Sequence, residues 1–245
     1  MLGFTSTTFR QLNVDQVIDL ALKSKSECIE WGGDIHIKTL DQAIEVKSKC
    51  NNAGIVISSY GSYYRVGSGN AEEWKRICEI AAAMGARTIR VWLGTVGSRL
   101  TGNKRYKKML KDGKHMSEIA SEYGLIIASE CHANTYNDSL ASSLKFLQDI
   151  KVDNFKTYYQ SRYQHKAEDL QRLVKTISFV ENVHLSFSEL ERMQLLRKKD
   201  NSFIPEIIKI LKESCFKGNI LLEYVRGAER DNFIQDIARL RELLK

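Results

Sequence analysis

Proline is almost absent from this chain: Pro205 is the only one in 245 residues. Proline-rich linkers are therefore excluded, and no shift in composition marks a place to divide the chain. Cysteine is scarce as well. Cys28, Cys50, Cys78, Cys131 and Cys215 are odd in number, far apart and without a CxxC pair. That pattern excludes a disulfide framework or a cysteine-rich zinc site and fits free thiols in a reducing compartment. No apolar run approaches the roughly 20 residues of a membrane-spanning helix, so no membrane partner is expected. The first ten residues, MLGFTSTTFR, lack the basic and apolar regions of a secretory signal, so a cytoplasmic location is expected. Apolar residues at 43% and charged residues at 27% are ordinary for a globular protein and exclude disorder as the main state. Lys and Arg outnumber Asp and Glu by 37 to 30, a net charge of +7. This moderate excess suits a lysine-rich solvated surface, and it makes nucleic acid or an acidic ligand worth weighing.

What the chain does have is an alternation. Short apolar runs of strand length are followed by longer runs of helical period. The strand candidates are Leu2–Thr5, Glu27–Trp31, Ile55–Tyr60, Thr88–Leu93, Leu125–Cys131, Phe155–Gln160, Val180–Phe187 and Ile220–Val225. Asn13, Thr39 and Asn70 are placed to cap the first three helices. Gly54, Gly85, Gly124 and Gly218 precede strands and are placed to end helices in left-handed geometry. Eight strands alternating with eight helices predict an α/β fold, a (β/α)8 TIM barrel, as one domain over residues 1–245. A doubly wound sheet would carry a glycine-rich turn after its first strand, whereas this segment reads Thr5-Ser6-Thr7-Thr8.

In such a barrel, chemistry sits at the C-terminal ends of the strands. Polar residues gather there in IEWGGDIH, SSYGSYYR, TIRVWLG, ASECHANTY, FKTYYQSR, NVHLSF and LLEYVRG. Ionisable groups within apolar runs are costly unless paired or coordinated. Glu130, His184 and Glu223 have that setting, and Gln160 adds an amide oxygen. This oxygen and nitrogen set suits Mn²⁺, Mg²⁺, Co²⁺ or Zn²⁺. By the alternation along a strand, Cys131 points away from Glu130. Tyr60, Trp92 and neighbouring aromatics at strand ends suit the apolar faces of a sugar. His36, His132, Lys156 and Arg162 are candidates to bond hydroxyls or a carboxylate, and Arg90 to orient a carboxylate. The segment GTVGSRLTGNK after the fourth strand reads as a long loop that carries Arg99.

Taken in order, these motifs resemble the sugar phosphate isomerase/epimerase group of xylose isomerase-like TIM barrels, over nearly the whole chain. The resemblance implies one divalent metal held by Glu130, Gln160, His184 and Glu223. Gln160 stands where many members have Asp, which removes a negative charge and should weaken the metal. It matches Glu30 and His36 to the glutamate and histidine of the second strand. It also implies proton transfer through an enediolate between Glu130 and Glu223. The expected function is a metal-dependent isomerase or epimerase of a small sugar, sugar phosphate or polyol derivative. A small-molecule carbohydrate is the expected partner, and an oligomer is compatible with the sequence. One alternative is a metal-poor sugar-binding barrel. Another is a DNA-acting metal-dependent endonuclease of the same superfamily. Its three-zinc site needs more His and acidic ligands than five histidines allow, so no nucleic acid partner is expected.

Overall fold

The computed structural model describes residues 1–160, 166–186 and 203–245. Its strands are β1 (Leu2–Thr5), β2 (Cys28–Gly32), β3 (Val56–Val66), β4 (Thr88–Leu93), β5 (Ile126–Ser129), β6 (Phe155–Gln160), β7 (Val180–Leu185) and β8 (Asn219–Leu222). They pair in sequence order, all parallel, and β8 closes onto β1. Around them run α1 (Val14–Ser24), α2 (Leu40–Ala53), α3 (Ala71–Met84), α4 (Asn103–Glu122), α5 (Leu140–Ile150), α6 (Lys166–Thr176), α7 (Phe203–Glu213) and α8 (Arg230–Leu244). The result is a single-domain (β/α)8 barrel. Among the described residues, no helix is long and apolar enough to cross a membrane.

The local signals act as the sequence suggests. Asn13 and Thr39 each close a capping box, and Asn70 accepts from the backbone of Glu73, which satisfies N–H groups left open at a helix start. Gly54, Gly85 and Gly124 all take positive φ. Gly218 does not. A Cβ there would lie 1.9 Å from the carbonyl oxygen of Glu181, so this glycine serves a close approach of β7. The left-handed residue in that turn is Cys215.

Alternate strand residues face the helices. Phe4 packs edge-on against Phe233 of α8 at 4.7 Å, Tyr64 meets Trp74 of α3, and Phe155 meets Phe146 of α5. Each such aromatic contributes roughly 1.5–3 kcal/mol by leaving water. The other face of the strands fills the barrel. There, Glu30, Ser59, Arg90, Tyr158, Asn182 and His184 are all buried, where bulky aliphatic residues commonly sit. Such a polar interior is costly unless its groups satisfy one another.

β3 runs past its expected end at Tyr60 to Val66, with a register shift between Gly61 and Arg65. β5 and β8 end earlier than expected. Glu130 and Glu223 follow their last residues directly, yet their N–H groups still bond Val91 and Leu185 of the neighbouring strands. Both backbones are thereby fixed at the rim. The connection after β4 is also tied down: Ser98 N–H donates to Asp138 at 2.9 Å, and a short 3-10 turn spans Ser98–Leu100.

Candidate metal centre

Glu130, His184 and Glu223 come together inside the barrel. One ligand atom from each lies within 4.8 Å of the others, and all three residues are buried. The Nδ1 of His184 stands 3.5 Å from Glu223 Oε2 and 3.9 Å from Glu130 Oε1. Both ring nitrogens of His184 and the Oε1 of Gln160 are buried without a hydrogen-bond partner. Unpaired buried polar atoms of this kind are rare and call for a ligand or an ion. The residues present therefore fit a divalent cation: two carboxylates, an imidazole and an amide oxygen, all hard or borderline donors.

Each carboxylate is oriented through one oxygen. Oε2 of Glu130 accepts from the Trp92 indole at 2.5 Å and from the Arg90 guanidinium. Oε2 of Glu223 accepts from Gln160 Nε2 at 2.7 Å. No described residue hydrogen-bonds the Oε1 of either glutamate. Glu30 completes the interior. It pairs with Arg90 Nε at 2.9 Å and lies 3.4 Å from His184 Nε2. Burial alone would raise the carboxyl of Glu30, but Arg90 and His184 outweigh it and hold it well below the usual carboxylate range. Burial pulls the imidazole of His184 down, but Glu223 and Glu30 outweigh it and push it up to about 10.

Aromatic rings frame the site. The rings of Trp92 and His132 stack at 4.7 Å, the edge of Tyr63 meets Trp92 at 5.3 Å, and the guanidinium of Arg65 lies 4.3 Å over Trp92. The ring of Tyr63 covers the guanidinium of Arg90 at 4.9 Å. Tyr63 and Tyr224 have φ of 59° and 53°, a conformation that costs a bulky residue energy and persists only where the surroundings enforce it. At Tyr224 the enforcement is visible: its N–H donates to Thr8 Oγ1 at 3.1 Å and its carbonyl accepts from Ser186 Oγ at 2.9 Å.

The eight residues read as substrate contacts separate on inspection. Trp92 and His132 frame the site. Arg90 is buried at 2% exposure and donates to Glu130. Glu30 lies enclosed in the barrel, its acceptor positions taken by protein groups. His36 is engaged at both nitrogens, by Ser6 Oγ at 2.9 Å and the Leu12 carbonyl at 3.0 Å. Tyr60 is buried and donates to the Ile37 carbonyl. These last two serve the strand-to-helix connection after β2. Lys156 is the second residue of β6. It faces the interior but lies roughly 13 Å along the strand from Gln160, at the opposite end of the barrel. Arg162 falls outside the described residues. Cys131 points away from Glu130 and meets Arg172 of α6.

Ser59, one of the polar residues of the SSYGSYYR segment, fixes Glu30; sequence reasoning missed Asn182, which fixes Tyr158, and also Tyr224. Asn182 had a signal: it lies two residues before His184, hence on the same strand face.

A family model described as xylose isomerase-like TIM barrel matches residues 18–243. Among curated proteins, an uncharacterized protein of Acanthamoeba polyphaga mimivirus is 22% identical over 130 residues; the match spans 50% of this chain and 61% of that relative. Solved structures share the fold at low identity. The probable 3-DHS dehydratase of petrobactin synthesis from Bacillus anthracis superposes with a TM-score of 0.78 at 15% identity, covering 98% of each chain. The 3-keto-D-glucoside 4-epimerase of E. coli gives 0.78 at 17% identity, with 98% of each chain covered. The D-psicose 3-epimerase of Clostridium cellulolyticum gives 0.75 at 12% identity, covering 100% of this chain and 99% of that one.

Proposed function

This chain belongs to the xylose isomerase-like TIM barrel family, and from that premise we propose that it is a divalent-metal-dependent isomerase or epimerase of a small carbohydrate. The observation that carries the reading is the buried trio Glu130, His184 and Glu223, in which Nδ1 of His184 stands without a hydrogen-bond partner between two carboxylates. Glu130, Gln160, His184 and Glu223 would hold the ion. The epimerase names of two structural neighbours agree with this reading.

The charges support it. Arg90 and Glu30 cancel as a buried pair. Glu130 and Glu223 then leave two negative charges, which a divalent cation balances. The neutral Gln160 completes that balance, so its amide does not by itself argue against metal.

When bound, a divalent ion polarises a substrate carbonyl and so acidifies the adjacent C–H. The protein supplies the proton path. Glu130 and Glu223 stand beyond strands separated around the ring by β6 and β7, so they approach a substrate from different sides. Each is held by one oxygen and offers the other. One glutamate takes the proton from the carbon beside the carbonyl, and the other returns one to the neighbouring carbon or to the opposite face. Arg90 and Trp92 keep Glu130 oriented during the transfer. Trp92, His132 and Tyr63 form an aromatic wall suited to a sugar's apolar face.

The test is deuterium uptake from solvent at the carbon beside the carbonyl, measured over a panel of ketoses, ketose phosphates and keto-polyols. Glu130→Gln and Glu223→Gln should each abolish uptake while metal content, measured in parallel, stays above half of wild type. Uptake at the wild-type rate in either metal-bearing variant would overturn the two-glutamate scheme.

A further inference from the structure

Glu30 has no acceptor position left for a substrate. Its Oε2 accepts from Ser59 Oγ at 2.7 Å and from the Tyr158 hydroxyl at 2.8 Å. Its Oε1 accepts from Arg90 Nε at 2.9 Å and faces His184 Nε2 at 3.4 Å. A carboxylate has about four acceptor sites, and the residue is 1% exposed. Its two Oε1 neighbours are the side chains that govern the carboxylate pair. Arg90 continues to Glu130, and His184 faces both Glu130 and Glu223.

We propose that Glu30 is a positioning residue: it fixes the imidazole of His184 with its hydrogen on Nε2, turns the Nδ1 lone pair toward Glu130 and Glu223, and so sets the affinity of the site for a divalent ion. The proposal rests on the metal-dependent reading above. Which nitrogen of a histidine binds metal follows from the hydrogen bond that the other nitrogen makes. An ionised carboxylate only accepts, so the nitrogen facing it carries the hydrogen. The 3.4 Å separation is about 0.2 Å beyond the upper limit of an ordinary N–H to O bond, a gap that a small rotation of either side chain closes.

Tyr158 holds the two partners together. Its ring meets the imidazole of His184 edge-on at 4.9 Å, and its hydroxyl donates to Glu30 while accepting from Asn182 Nδ2 at 2.8 Å. Ring and carboxylate are thus placed by one side chain. The arrangement also explains an ionised glutamate at such depth: it serves Arg90 and His184 at once.

The experiment titrates Mn²⁺ into metal-free protein and follows the free ion by electron paramagnetic resonance. The Mn²⁺ Kd should rise 10- to 100-fold in Glu30→Gln, with a cooperative thermal unfolding transition retained. Unchanged affinity in the folded variant would overturn the proposal. A second measurement needs no variant of Glu30. In Zn²⁺-loaded wild type labelled with ¹⁵N-histidine, and assigned against His184→Gln, the His184 signal should show hydrogen on Nε2 and metal on Nδ1. The opposite pattern would overturn the proposal even if Glu30→Gln fails to fold. Wild type that takes up neither ion would overturn the metal-dependent reading itself. Uptake by wild type with equal affinity in Glu30→Gln would remove only the positioning role.

Discussion

Gly61 and Arg90 share one volume. A Cβ on Gly61 would stand 2.7 Å from Nη2 of Arg90, so the guanidinium occupies the place where any other residue would put its side chain. It cannot yield, because Glu30 holds its Nε and Glu130 its Nη1. Gly61→Ala should therefore cost about 1–3 kcal/mol of stability by overpacking and weaken metal binding through the displaced Glu130. Denaturant melts with parallel metal analysis check this; wild-type values in both would show that the guanidinium has room to move.

Gln160 donates to Glu223. Gln160→Glu replaces that donor with a third negative charge. Without metal, the variant should lose roughly 1–3 kcal/mol, because Glu223 loses its hydrogen bond. With Mn²⁺ bound, the added ligand charge should recover the loss. The difference in Tm between metal-free and Mn²⁺-loaded protein should be wider than in wild type, and an equal difference would argue against Gln160 as a ligand position.

Burial favours the neutral form of His36. The Leu12 carbonyl can only accept, so Nε2 donates to it, and in the neutral ring Nδ1 then accepts from Ser6 Oγ. Burial lowers its pKa below the ordinary 6.5. The unfolded chain then binds the extra proton as pH falls below about 6.5, the folded chain only at lower pH. The stabilisation is complete above that value and is lost as pH falls through the folded-state pKa. Urea melts between pH 5 and 7.5 should show wild type losing stability on acidification relative to His36→Gln. Parallel curves for the two proteins would count against a buried neutral ring.

In the metal-free protein His184 carries a proton, since its pKa stands at about 10. A ligating imidazole must give that proton up. Loading the ion at pH 7.5 should release about one proton from this residue. Calorimetry in buffers of different ionisation enthalpy measures the release, and a buffer-independent heat would show that His184 does not ligate.

Much of the barrel was legible because its strands are buried on both faces and read as short apolar runs. The site was partly legible for the same reason: Glu130, His184 and Glu223 interrupt such runs. Strand parity also placed Cys131 correctly on the helix side. What parity does not give is height along the barrel, and Lys156 shows the difference, facing inward at the wrong end. Register shifts do further damage. One lies between Ile29 and Glu30 and another between Gly61 and Arg65. They break any count of alternating faces across β3; Tyr60 read as a pocket wall because the strand was expected to end there, whereas it runs on to Val66. His36 is a different case, since its partners Ser6 and Leu12 are 30 and 24 residues away and no local pattern announces them.

The clamp on Tyr224 ties the site to the history of the folding chain. Its bond to Thr8 joins residues 216 positions apart, and the β8–β1 pairing is the seam that makes the ring. Closing so long a loop carries the largest entropic cost among the strand pairings. Glu223 is the residue just before that clamp; Leu185 of β7 holds its backbone and Gln160 its carboxylate, and the seam then fixes the residue beside it. An ion held by Glu130, His184 and Glu223 would therefore join β5, β7 and β8 next to the seam, so that opening of the ring and loss of the ion oppose each other.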